Sequence, residues 1–68
     1  MKNTLHHLAL QAQKRLHFAI GQSSTVSLVA KESERIRARQ PVLASTMNEF
    51  ALHDAAMLNV CTARNIKV

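Results

Sequence analysis

Apolar residues in the first third of the chain recur at helical spacing. Leu5, Leu8, Ala9, Ala12, Leu16, Ala19 and Ile20 fall in one stripe when wound at about 100° per residue. The pattern predicts a helix over about residues 4–20, with Asn3 or Thr4 as its N-cap and Gly21 as a left-handed stop ahead of the polar run Gln22-Ser23-Ser24. A second helix is expected over about residues 24–40, starting from Ser23 or Ser24 as N-cap and aligning Val26, Val29 and Ile36. Residues 25–29 are rich in β-branched side chains and also suit extended backbone, but a lone short strand has nothing to pair with, so helix is the better reading. Pro41 ends or kinks this helix and suits the first position of another. Alternatively, Thr46-x-x-Glu49 forms a capping box and leaves residues 40–45 as a linker.

Either start leads to one long final helix, on which Leu43, Met47, Phe50, Ala51, Met57, Leu58 and Cys61 share a face read as core. The expectation is an all-α single domain of three helices, at about 4–20, 24–40 and 42–64. Its length of 68 residues makes self-association a natural completion. A domain this small buries only about 60% of the surface its unfolded chain exposes, and such domains lean on disulfides, metals or a second subunit. With two Phe and neither Trp nor Tyr, the core must come from aliphatic residues, Met and Ala, which favours small side chains at close helix crossings.

Chemistry narrows the picture chiefly by subtraction. Cys61 is the only thiol, so no intrachain disulfide forms, and a reducing, cytoplasmic setting is expected. The early apolar stretch is broken by His6, His7, Gln11 and Gln13, unlike a secretory leader. No apolar run approaches the ~18 residues of a membrane span, so membrane partners are not expected. The four histidines, His6, His7, His17 and His53, include no i,i+4 pair, and with one Cys they make no recognisable metal site. There is no phosphate loop, dinucleotide fingerprint or nucleophile elbow. The chain is therefore expected to act without a catalytic residue, cofactor, metal or small-molecule ligand.

A net charge of +5 favours acidic or polyanionic partners. Lys31, Arg35 and Arg39 repeat every four residues as a basic ridge, which either lies along phosphates or is a solvated face paired with Glu32 and Glu34. Residues 19–27, Ala-Ile-Gly-Gln-Ser-Ser-Thr-Val-Ser, resemble the turn and recognition-helix start of prokaryotic helix-turn-helix repressors, G-x-S-x-x-T-V-S. The resemblance implies a DNA-binding regulator that brings Gln22, Ser23, Ser24 and Thr25 to the nucleic acid, with Lys31, Arg35 and Arg39 on phosphates. It covers nine residues and is one residue short between Ser23 and Thr25, which turns the second helix by about 100° from the family register.

Two further features bear on partners. Leu10 and Phe18 lie off the main stripe of the first helix, and Leu52 and Val60 off that of the last, a surplus of apolar faces that marks a protein-partner surface or a self-association surface. Asp54 falls at the centre of the last helix's apolar face. It either reaches water at an edge or pairs with a cation of another helix or subunit and fixes register. The leading expectation is a small basic helical regulatory or adaptor protein that binds and modulates a protein partner; the alternative is the DNA- or RNA-binding regulator.

Overall fold

The computed structural model describes residues 4–68 and contains four α-helices: α1 (Thr4–Ile20), α2 (Gln22–Arg39), α3 (Pro41–Thr46) and α4 (Glu49–Ala63). The expected three-helix layout is thus corrected to four, because the stretch expected as one final helix is broken at Met47 and Asn48. Both residues adopt extended backbone, with φ/ψ of −96°/143° and −78°/169°. Of the two starts weighed from the sequence, the one at Pro41 begins α3, whereas the Thr46-x-x-Glu49 capping box does not form, residues 41–46 are helix and not linker, and α4 begins at Glu49. Pro41 occupies the first turn of α3, where its missing N–H costs nothing. α4 is capped by Asn48, whose side-chain oxygen accepts from the Ala51 N–H at 2.7 Å. Thr46 is not the cap: its hydroxyl donates back to the Leu43 carbonyl at 2.7 Å, inside α3.

The other joints are a single residue each. The Gly21 N–H donates to the His17 carbonyl at 2.9 Å and closes α1, while the Gly21 carbonyl accepts from the Thr25 N–H at 3.1 Å and opens α2. Gly21 is therefore the N-cap position of α2, in place of the expected Ser23 or Ser24. Its φ of 89° is positive as expected, but its ψ of 159° is extended, in a region open essentially only to glycine. Gln40 serves the α2–α3 junction similarly, its N–H donating to Ile36 and its carbonyl accepting from Ala44, each at 2.9 Å. The expected Asn3 cap lies outside the described residues.

The core follows from which helices meet. α4 packs against both α1 and α2, α1 also meets α2, and α3 packs beside α2. Ala9, Ala12 and Leu16 of α1, Val29 of α2, and Ala56, Met57, Val60 and Cys61 of α4 form the buried cluster. Three of these eight are alanines. Small side chains let the helix axes approach, and at one point the Cys61 thiol reaches the Ala12 carbonyl of α1 at 3.6 Å. Residues 25–29 are helical, with Thr25 and Val29 rather than Val26 turned inward. At the edges of the α1 stripe, Leu5, Leu8 and Ala19 stay exposed.

Because α4 touches two neighbours, apolar residues are needed over a wide arc of its surface, not in one stripe. Leu52 and Val60, which look surplus on a one-sided helix, are buried. Conversely, the expected Leu43–Cys61 face is not buried along its length: Leu43 lies beyond the break on α3, and Phe50 lies in the first turn of α4. Met57 and Cys61 are core, whereas Leu43 and Phe50 are exposed, Phe50 by 76%.

Candidate partner-binding face

α1 carries Leu10, Lys14 and Phe18 at four-residue intervals on its outer side, and all three are exposed. Phe18 is 95% exposed. Beside it a groove of about 530 Å³ runs between α1 and the segment after α4, lined by Lys14, Arg15, Phe18, Ala19, Ile66 and Lys67 together with Gln11. Its far wall is fixed by the way α4 ends. Asn65 turns left-handed at φ 59°, its N–H donates to the Thr62 carbonyl at 3.1 Å, and the Ile66 N–H donates to the Cys61 carbonyl at 2.9 Å. This is a Schellman closure, and Ile66 supplies its usual apolar contact by packing against the core cluster. The turn thereby fixes Ile66 and Lys67 opposite α1.

The groove's charge is one-sided. All four carboxylate side chains of the chain, Glu32, Glu34, Glu49 and Asp54, lie on α2 or α4. None lines this groove. Lys14, Arg15 and Lys67 pair with no carboxylate among the described residues.

The other residues singled out from the sequence are placed as follows. Leu52 and Val60 are buried in the chain's own core and so are corrected as candidates for a partner surface, whereas Leu10 and Phe18 are exposed. Gln22, Ser23 and Ser24 are exposed in the first turn of α2. Thr25 is not available to nucleic acid: it is buried, and its hydroxyl donates to the Gly21 carbonyl at 2.8 Å. Lys31, Arg35 and Arg39 are exposed, but Arg35 is engaged by both oxygens of Glu32, at 3.0 and 2.8 Å. Glu32 also accepts from Asn59 of α4 at 3.0 Å, tying the basic ridge into the α2–α4 contact. The Arg35 hydrogen bonds hold the Glu32 carboxyl below its ordinary range. The candidate nucleic-acid contacts are strung along α2, Ser23 and Arg39 lying sixteen residues or roughly 24 Å apart on its axis. The α1–α2 joint is also a single residue, where a helix-turn-helix uses a turn of about three to four.

Asp54 is buried and meets His6 Nδ1 of α1 at 3.1 Å. It therefore pairs with a residue on another helix of the same chain. Burial pushes the Cys61 thiol up from its ordinary range, which leaves it a poor nucleophile. Among the described residues no cluster of three or more His, Cys, Asp or Glu could hold a metal, and no helix is long and apolar enough to cross a membrane.

A second apolar patch surrounds Phe50, which stands between a groove lined by Ser33, Arg37 and His53 and another lined by Leu5, His6 and Asp54. Helical spacing hid this patch by placing Phe50 in phase with Met57 and Cys61, and the Asn at position 48, a strong N-cap residue just ahead of Glu49, is the signal that marks Phe50 as a first-turn residue. Comparisons with protein families, with characterised proteins and with solved structures find no match to this chain.

Proposed function

We propose that this chain is a small regulatory or adaptor protein that acts by binding a protein partner through the outer face of α1, not by catalysis. The observation that carries this reading is where the aromatics lie. The core is filled by Ala, Leu, Val, Met and Cys, while both phenylalanines stand outside it. An aromatic ring has a large apolar surface and few rotatable bonds, which makes it an efficient anchor in an interface. Phe18 and Leu10 bracket Lys14 on one helix face, so an apolar partner surface engages both anchors at once.

Selection from a random-peptide display library tests this reading, run in parallel on the wild type and on Leu10→Ser/Phe18→Ser. Both positions are exposed, and Phe18 almost fully, so the variant should keep its helical spectrum and unfold at nearly the same temperature. The expected result is a set of peptides captured by the wild type and lost with the variant. Equal enrichment on both proteins removes the α1 face as the binding surface. Light scattering of the two proteins checks self-association through the same face: a wild-type dimer that becomes monomeric in the variant makes a second copy the partner.

A further inference from the structure

The groove beside Phe18 combines two properties that together specify an occupant. Its apolar surface is contributed by Phe18, Ala19 and Ile66, with the Ile66 side held by the Schellman turn. Around it stand Lys14, Arg15 and Lys67, with no carboxylate among the lining residues to neutralise them. A purely apolar ligand would leave three cations facing it. A purely anionic one would leave the ring of Phe18 in water.

Resting on the partner-binding reading above, we propose that this groove takes an acidic amphipathic segment of the partner protein. One apolar side chain of that segment seats between Phe18 and Ile66, and flanking carboxylates meet Lys14, Arg15 and Lys67. Charge complementarity sets orientation and association rate, and burial of the anchor supplies most of the affinity. Single-stranded nucleic acid fits less well. It is bound by successive aromatic platforms along a basic track, whereas this groove has one aromatic ring, and the only other Phe of the chain lies on α4 among different neighbours.

Fluorescence anisotropy with synthetic probes tests the proposal. The first probe is a peptide of about sixteen residues, roughly 24 Å long if helical, carrying Leu or Phe at helical spacing among Glu and Asp. The second has the same composition in scrambled order, the third replaces every acid by Lys, and the fourth is a mixed-sequence single-stranded RNA.

The patterned acidic peptide is expected to bind about tenfold or more tighter than the scrambled one. Phe18→Ser and Lys14→Glu/Lys67→Glu should each weaken it about tenfold, the size of an ordinary hot-spot loss. The Lys-substituted peptide should prefer the charge-reversed variant, a rescue that mere unfolding cannot produce. Equal binding of patterned and scrambled peptides, absence of binding, or tighter binding of the RNA overturns the proposal. The two readings fail separately: Phe18-dependent peptides from the display selection that lack acidic residues defeat the acidic-segment proposal alone, while loss of Phe18 dependence defeats partner binding through α1.

Discussion

The seam between α1 and α4 and the short helix α3 are both helical, yet they are held by opposite means. In the seam, Ala9, Ala12 and Leu16 face Ala56, Met57 and Cys61, and the backbone of one helix comes within reach of a side chain on the other. α3 has no buried residue, and Val42 and Leu43 are among the most exposed apolar side chains. Its supports are local. Pro41 begins the helix with a preset φ, and the hydroxyls of Ser45 and Thr46 donate to carbonyls three residues back, at 2.7 Å each. Packing buries the side chains of the first region, while the second rests against α2 without burying any and takes its start and end from its own residues.

That contrast is broken most severely at Ala12. It has no exposed surface, and Ala12→Leu forces extra methylenes into a closed helix crossing, which costs about 1–3 kcal/mol and occasionally more. For a domain of this length, total stability is only about 3–10 kcal/mol at the usual per-residue value. Urea unfolding should therefore show a large loss in midpoint with little change in slope. An unchanged midpoint would mean that the seam is looser than its geometry shows.

The second-largest effect belongs to the joint that brings the helices together. A Cβ on Gly21 meets nothing within 4 Å, so Gly21→Ala tests backbone strain alone. At φ 89° and ψ 159° the expected cost is about 1–3 kcal/mol. The thermal unfolding midpoints of the wild type and Gly21→Ala check this, and an unchanged midpoint would mean that the backbone at this joint is not strained. The smallest effect is expected in α3: Val42→Ser and Leu43→Ser should change stability by no more than about 0.5 kcal/mol. A loss above 1 kcal/mol in either would show that α3 is held by burial after all.

The same contrast decides what could be read from the sequence. The first helix was legible to the residue at its end, because an amphipathic stripe and a stop glycine carry its information locally. The last was not. A helix in contact with two neighbours has no single stripe, so Leu52 and Val60 read as surplus when they are core. Phe50 shares a phase with Met57 and Cys61 on α4, but it stands in the first turn of that helix, outside the buried cluster, so spacing alone assigned it to the interior. At the break before α4, Thr46 and Asn48 are both competent N-caps, and which one serves depends on the packing of α4, which is not local information. The candidate face was half legible: Phe18 and Leu10 stood off the stripe, but the opposing wall depends on a left-handed Asn65 that no periodicity reveals.

The helix on which α1 and α2 both depend comes last of the four in chain order. During synthesis, the amphipathic faces of α1 and α2 are complete at Arg39, but their shared cover extends through Cys61. At about 5–20 residues per second, the interval is roughly one to four seconds. Until α4 is made, α1 and α2 have only each other to pack against, and the buried cluster lacks its α4 half. A nascent chain halted within that interval presents its open helix faces to chaperones and proteases.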